Sequence, residues 1–146
     1  MIEINNTTKQ KINSSKTKRI VEDWLKTHKK GNWEVSLAIV GSARMKRLNA
    51  DYRGIDKTTD VLSFVGEELG GKEPGAKYLG EIIINIEEVK KADKYLEVFG
   101  LKKSADYIFY FLLIHGLLHL IGYEDDEEKD RQKMLSLGGK FLKKYF

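Results

Sequence analysis

Two histidines, His115 and His119, follow directly after the apolar run from Tyr107 to Ile114. A segment that is hydrophobic on every side predicts a helix in the centre of a domain. Residues four positions apart lie on the same side of a helix, one turn apart, so both imidazole rings would point the same way. A buried polar group without a partner costs about 1–3 kcal/mol, so two such rings need a partner.

Asp125 supplies a carboxylate six residues after His119. In a continuous helix it would lie about 9 Å beyond His119 and roughly 120° around the axis, too far to share an ion with ligand bonds of about 2 Å. Gly122 changes this, because glycine readily adopts the left-handed conformation that ends helices, and Tyr123 would then fold back against Leu118. A helix that ends at Gly122 can return Asp125 toward the two rings.

Two imidazoles, a helix end and one carboxylate predict a metal site with three protein ligands and an open position, the arrangement of a catalytic zinc. A histidine pair on one helix face is a known metal-binding device. The sequence leaves one alternative open, in which both histidines are core residues bonded to the backbone and Gly122 is an ordinary helix cap.

Composition limits the kinds of site and compartment. The chain has no cysteine, which excludes disulfides and thiolate ligands and gives no argument for an oxidising compartment. Its 146 residues predict one domain, 1–146, large enough to bury a core. No basic-then-apolar signal segment opens the chain, and the run from Tyr107 to Ile121 is too short for a membrane span. We therefore expect a cytoplasmic protein that does not enter the membrane.

The net charge of +4 is unevenly distributed. Residues 1–60 carry 13 Lys or Arg against 7 Asp or Glu, whereas residues 61–146 carry 13 against 15. A basic first part can attract a polyanion such as RNA. A solvated, lysine-rich surface explains the same numbers, so charge alone does not decide between the two.

Apolar spacing predicts alternating strands and helices in the first part of the chain. His28 falls on the apolar stripe of one of these helices and is expected to be a half-buried packing residue, because no second ligand type lies nearby at a useful spacing. The expected elements are a strand at 1–6, a helix at 15–30 ended by Gly31, a strand at 33–40, and a helix with its N-cap at Ser42 and a face of Met45, Leu48, Asn49 and Tyr52.

The second part of the chain continues this pattern. Segment 66–77 has four glycines and the only proline, which is typical of a lid, a binding loop or a link. The other expected elements are strands at 61–64 and 79–85, a helix at 87–99 with Val89, Ala92, Leu96 and Phe99 inward, the apolar helix from about Ser104, and a last helix after 124–128. This order predicts an α+β fold, a small mixed β-sheet of about four strands covered by helices, whose central apolar helix carries a zincin-like metal site.

The histidine motif also resembles the hallmark of the YbeY family of bacterial endoribonucleases, His-Gly-x-Leu-His-Leu-x-Gly-Tyr-Asp-His. It stands here as His115-Gly-Leu-Leu-His119-Leu-Ile-Gly-Tyr123-Glu-Asp125. Two earlier blocks are similar to the family's as well: Leu48-Asn-Ala-Asp-Tyr-Arg53 with Thr59-Asp-Val-Leu-Ser-Phe64, and Tyr78-Leu-Gly-Glu-Ile-Ile-Ile84. The order of the three blocks covers nearly the whole chain and is much more specific than the histidine pair.

Two positions depart from the family pattern. The family's third metal-binding histidine aligns with Asp125, and its usual proline before Thr59 is Thr58. The first change makes the site less positive by one charge. Because Asp is a competent zinc ligand, binding is expected to survive, while metal preference becomes open.

The resemblance implies a function and a set of site residues. It implies one Zn²⁺ held by His115, His119 and Asp125, and it implies that Arg53 is the family's functional arginine, which would hold a scissile phosphate while zinc acts on it as a Lewis acid. The implied activity is cleavage of single-stranded RNA in the maturation of ribosomal RNA, at the 3′ end of the small-subunit rRNA, and in ribosome quality control. The implied partners are ribosomal RNA and the small ribosomal subunit.

Other functions remain open at this point. In zinc proteases of the His-Glu-x-x-His type the residue after the first histidine is the general base, and here it is Gly116, which ranks a metalloprotease below a nuclease. Gly116 would give a substrate room beside the ion or let the helix pack tightly. Two His and one carboxylate also hold iron in oxygenases, usually on a β-scaffold. A non-catalytic RNA-binding ribosome-assembly factor with a structural metal is the remaining alternative.

Overall fold

The computed structural model describes residues 1–66 and 77–146, which form a four-stranded mixed sheet covered by helices. The strands lie in the order β1-β2-β4-β3. β1 and β2 pair in parallel, β2 and β4 pair in parallel, and β3 runs antiparallel to β4. The strands are β1 (Ile2–Asn6), β2 (Glu34–Val40), β3 (Val61–Val65) and β4 (Tyr78–Asn85). The α+β class and the small mixed sheet predicted from the sequence are confirmed.

Six α-helices accompany the strands in the described parts of the chain. They are α1 (Ser14–Thr27), α2 (Ser42–Arg53), α3 (Ile86–Val89), α4 (Leu96–Phe99), α5 (Ala105–Leu120) and α6 (Glu128–Leu142). Short 3₁₀ turns lie at Ala92–Tyr95 and Lys143–Tyr145.

The two faces of the sheet are covered differently. One face packs, through residues such as Leu37 and Ile82, against α1 and α5 in the larger core. The other face packs against α2 in a smaller cluster that contains Met45 and Phe64. β4 lies between β2 and β3 and is buried along most of its length, which explains its nearly continuous apolar sequence.

Helix α5 lies in the larger core. It begins after Ser104, whose hydroxyl accepts a hydrogen bond from the backbone N–H of Tyr107 at 3.1 Å. Residues on all its sides are buried, as expected for a helix that is apolar all round. It packs against β3, β4 and α6.

The expected helix at 15–30 is shorter than predicted, because α1 ends at Thr27 and Lys29 adopts a positive φ of 58°. His28 follows the helix as a half-buried residue, as predicted. Its ring stacks on Trp24 at 4.1 Å between centroids, and its Nδ1 lies 2.9 Å from the Trp24 carbonyl.

Two details of α2 differ from the prediction. Gly41 is the N-cap and Ser42 is the first helical residue, because the Glu87 carboxylate accepts a hydrogen bond from the Ser42 N–H in place of a capping side chain. Tyr52 is 65% exposed, whereas Met45 and Asn49 are buried.

The continuous helix predicted at 87–99 is wrong. The segment is divided into α3, a 3₁₀ turn and α4, and Leu96, which was predicted to face inward, is 41% exposed. The Glu88 carboxylate, which is buried, binds Lys91 and Lys94 at 2.9 and 2.7 Å. Tyr95 is buried at the turn instead.

The loop predicted at 66–77 lies outside the described residues except for its two ends. Within 1–66 and 77–146, no helix has both the length and the apolar composition needed to cross a bilayer.

Candidate active site

The end of helix α5 sets the geometry of the site. The helix stops at Leu120, and Gly122 has a φ of +106°, a conformation that side chains with a Cβ rarely adopt. The chain then turns back, and the Tyr123 N–H donates to the Leu118 carbonyl at 3.1 Å. This reversal is the one expected from the position of Gly122.

The turn brings Asp125 to the two histidines. Its Oδ2 lies 3.1 Å from Nε2 of His115 and 3.4 Å from Nε2 of His119. One ligand atom from each of the three residues lies within 4.8 Å of the others, and all three side chains are partly buried. In the described residues this is the one group of three or more His, Cys, Asp or Glu close enough to hold a metal ion.

The hydrogen bonds of His119 and the pKa of His115 suit metal binding. The Nδ1–H of His119 donates to the Tyr123 carbonyl at 2.9 Å, which leaves its Nε2 lone pair directed toward Asp125 and His115. Burial and the neighbouring His119 lower the pKa of His115, against the opposing effect of the Asp125 carboxylate, so its ring is neutral at pH 7. His115 Nδ1 is buried without a hydrogen-bond partner in the described part of the chain.

These donors fit a divalent cation. Two imidazoles and one carboxylate match the ligand types of a catalytic zinc with three protein ligands. The Asp125 carboxylate lies close to Nε2 of both rings. A cation bound at this point would take the place of the proton that lies between the carboxylate and a ring nitrogen. The three residues therefore provide the ligand types that the sequence motif predicted.

The histidines open onto a cavity of about 540 Å³, which we call the histidine cavity. Arg53, on α2, lines it together with the three candidate ligands. Its Nη2 donates to the Ser63 carbonyl at 2.7 Å, and its guanidinium carbon lies 5.2 Å from the centre of the Phe64 ring. The structure thus brings the four residues singled out in the sequence to one cavity.

Three further polar residues of the histidine cavity were not identified from the sequence. Asp60 lies just before β3, Tyr95 lies in the 3₁₀ turn, and Arg131 lies on α6. Asp60 stands inside the Thr59–Phe64 block that carries the family resemblance, which was the available signal. Glu124 and Asp126 also line the cavity but are exposed.

Gly116 serves packing. A Cβ at this position would lie 2.9 Å from Cγ2 of Ile82, closer than real side-chain contacts. Helix α5 therefore lies against β4 at this point, and the glycine allows that approach. Of the two roles that the sequence left open for Gly116, the contact with Ile82 favours tight packing.

A larger groove of about 740 Å³ lies along β1, at the opposite edge of the sheet. Its lining includes Lys9, Lys11 and Lys18, and none of the candidate ligands or Arg53. It is separate from the histidine cavity.

Comparisons with known proteins agree with the motif. The family model described as Endoribonuclease YbeY matches residues 3–146. The endoribonuclease YbeY of Limosilactobacillus reuteri is 39% identical over 124 residues, which cover 78% of this chain and 75% of that protein. The protein of the same name from a Nitratiruptor species is 45% identical over 111 residues, covering 76% and 69%.

A solved structure is similar throughout the chain. The solution structure of TM1509 from Thermotoga maritima superposes with a TM-score of 0.59 at 28% identity, covering 97% of this chain and 87% of that one. With a family model that spans almost every residue and relatives near 40% identity, the chain belongs to the endoribonuclease YbeY family.

Proposed function

We propose that this protein is a zinc-dependent endoribonuclease that cleaves single-stranded RNA in the histidine cavity. One observation carries the proposal: His115, His119 and Asp125 present ligand atoms within 4.8 Å of one another, at a cavity that Arg53 also lines. Membership of the endoribonuclease YbeY family supplies the class of reaction.

The proposed ligands of one Zn²⁺ are Nε2 of His115, Nε2 of His119 and a carboxylate oxygen of Asp125. The donor types support zinc, and the carboxylate in the third position lowers the charge of the site by one relative to three histidines. When bound, zinc would supply a Lewis acid next to a scissile phosphate.

Arg53 is proposed to bind that phosphate. The hydrogen bond to Ser63 and the contact with the Phe64 ring hold the guanidinium at the cavity wall, and the remaining N–H groups can donate to phosphate oxygens. A planar fork of donors suits a phosphodiester better than a lysine would, and it would offset the charge that grows in the transition state.

The proposed biological substrate is ribosomal RNA, with the small ribosomal subunit as the partner. The role would be maturation of the 3′ end of the small-subunit rRNA and ribosome quality control, in the cytoplasm. The excess of positive charge in residues 1–60 supports attraction of a polyanion. We also propose that residues 1–146 act as one domain, since a single buried cluster contains residues from Ile2 to Leu142.

Metal content and RNA cleavage, measured on the same preparations, test the proposal. Wild type is expected to bind one zinc and to cut single-stranded RNA until a chelator is added, and to leave casein intact. His119→Ala should lose both metal and cleavage. His28→Ala is the matched control, because His28 stacks on Trp24 away from the cavity and should keep both.

Each other function gives a different result in this assay. Cleavage of casein rather than RNA would favour a protease. Wild type that holds zinc and binds RNA without cutting it would favour an assembly factor with a structural metal. Iron in place of zinc would contradict the proposed cofactor.

A further inference from the structure

Asp60 is the partly buried carboxylate of the histidine cavity that has no role so far. It ends the connector between α2 and β3, and its backbone carbonyl accepts a hydrogen bond from the Asn85 N–H of β4 at 2.9 Å. The side chain is partly buried and lines the histidine cavity together with His115. It is not a member of the ligand group formed by His115, His119 and Asp125.

Neutral donors hold the Asp60 carboxylate. The Tyr95 hydroxyl donates to Oδ2 at 2.9 Å, and the Thr59 hydroxyl makes a long contact of 3.5 Å to Oδ1. Burial and the Asp60 charge raise the pKa of Tyr95, so this hydroxyl keeps its proton and remains a donor. No Lys or Arg in residues 1–66 or 77–146 forms an ion pair with Asp60, and the long Thr59 contact is the one hydrogen bond to its Oδ1 in this part of the chain.

The position of Asp60 is unfavourable for substrate binding alone. A carboxylate without a cation repels the phosphate that the proposed function brings into the same cavity. Placing it there, oriented by a buried tyrosine, makes chemical sense if the carboxylate acts during the reaction rather than in binding.

Cleavage of a phosphodiester needs an acceptor for the proton of the attacking oxygen. The position after the first histidine is Gly116, so the helix does not supply one. Of the carboxylates that line the histidine cavity, Asp125 is a proposed metal ligand, and Glu124 and Asp126 are exposed. Asp60 is the remaining one, and it is held in place by hydrogen bonds.

We propose that Asp60 is a catalytic residue of this site, the general base of RNA cleavage; this rests on the proposed function. The O–H bond of the attacking water or ribose hydroxyl breaks, its proton passes to Oδ1 of Asp60, and the oxygen forms a new bond to phosphorus. The bond from phosphorus to the leaving ribose oxygen breaks, and its electron pair stays on that oxygen, which takes a proton from solvent. Asp60 then returns its proton to solvent.

Asp60→Asn is the principal test, because the amide oxygen can still accept the Tyr95 hydrogen bond while the basic oxygen is lost. The cleavage rate should fall by about 10²- to 10⁴-fold, the usual contribution of a general base. Zinc content and the thermal unfolding midpoint should stay at wild-type values. The affinity for labelled single-stranded RNA in chelator should be equal to or higher than that of wild type, because the carboxylate that repels the phosphate is gone. Asp56→Asn, in the same connector but 85% exposed at its side chain, is the matched control and should cleave at the wild-type rate.

Rescue by an added base separates a proton acceptor from a structural residue. Asp60→Ala removes the carboxylate and leaves space for a small one, so formate should restore part of the cleavage rate in proportion to its concentration. His119→Ala, which loses the proposed metal instead, should gain nothing from formate.

The outcomes distinguish this proposal from the function on which it rests. If wild type cleaves RNA and Asp60→Asn cleaves equally well, the role of Asp60 is wrong and the proposed function stands. Loss of zinc or of the fold in Asp60→Asn, or absence of formate rescue in Asp60→Ala, also overturns the role. If wild type itself never cleaves RNA, the proposed function fails first.

Discussion

The surroundings of His115 lower its pKa and so favour the neutral imidazole that a metal ion needs as a ligand. Burial disfavours the charged imidazolium, and the adjacent His119 adds to this effect, so the pKa lies below its ordinary value of 6.5. A neutral ring can bind an ion at Nε2 without a net loss of protons, because the Nε2 proton that is directed at Asp125 can move to Nδ1, whereas an imidazolium would have to release one proton. The electrostatics of the folded chain therefore favour binding near and above pH 7.

The same pKa predicts how metal-free protein responds to acid. Because the folded pKa lies below the unfolded one, the unfolded chain binds more protons between these two values. The contribution of His115 to stability is full above about pH 6.5 and is lost as the pH falls through the folded pKa. Urea unfolding in chelator should show that the free energy of unfolding decreases as the pH falls through this range. The decrease should be smaller in His115→Gln than in wild type.

Other ionisable groups change the folding stability in a different pH range or in the opposite direction. The pKa values of Asp23 and Glu88 are lowered from ordinary carboxyl values. Their contribution to the stability of the folded protein is therefore lost only below about pH 4.5. Burial raises the pKa of Glu81, which acts in the opposite direction and cancels in the difference between wild type and His115→Gln. An identical pH dependence in both proteins would contradict the prediction for His115.

Arg53 carries a prediction of its own. Arg53→Ala should leave zinc content unchanged and lower RNA cleavage by roughly 10²- to 10³-fold, the scale found when one donor to developing charge is removed. Arg53→Lys keeps the charge but loses the fork, so an intermediate rate is expected. Equal loss of zinc and cleavage in Arg53→Ala would refute the phosphate-binding role, since metal analysis and the RNA assay report on separate steps.

At the scale of elements, the position of α5 against β4 decides where the histidines lie. Gly116 meets Ile82 so closely that an added Cβ would fall 2.9 Å from Cγ2, 3.2 Å from Cγ1 and 3.3 Å from Cδ1. The Cγ2 methyl is attached directly to Cβ of a branched side chain and has little freedom to move. The helix and the strand are therefore in contact one residue away from the first candidate ligand.

Gly116→Ala should destabilise the protein by about 1 kcal/mol, because overpacking of about 1–3 kcal/mol exceeds a gain of about 1 kcal/mol in helix propensity. Gly139→Ala on α6 is the matched control, since a Cβ there meets nothing within 4 Å. It should stabilise by up to about 1 kcal/mol. Urea unfolding measures both, and equal stabilisation by the two substitutions would show that the contact with Ile82 is not restrictive.

At the scale of the molecule, the site joins α5 to the turn that leads into α6. A ligand that binds the folded chain and not the unfolded chain adds RT ln(1 + [L]/Kd) to stability, about 2.7 kcal/mol at a concentration of 100 Kd. Free zinc at that concentration should therefore raise the thermal unfolding midpoint, and a chelator should reverse the rise. The same shift in His119→Ala would mean that zinc acts elsewhere on the chain.

The sequence by itself determined the features that depend on near neighbours. The apolar run from Tyr107 predicts a central helix, the four-residue spacing of His115 and His119 predicts rings on one side, and Gly122 predicts the reversal toward Asp125. All of these follow from helix period and backbone conformation within about 20 residues. The strands and the α+β class follow from local patterns in the same way.

Only the tertiary structure decided which residues from distant segments of the chain come into contact. Arg53 and Asp60 reach the histidine cavity because β3 pairs with β4 and packs against α5, contacts between residues far apart in sequence. The predicted helix at 87–99 fails for the same reason: its period fits, but the hydrogen bond of Tyr95 to Asp60 and the burial of Tyr95 place that residue in a turn. Local propensity is worth tenths of a kcal/mol per residue, whereas burial of one large side chain is worth about 1.5–3 kcal/mol, so packing decides.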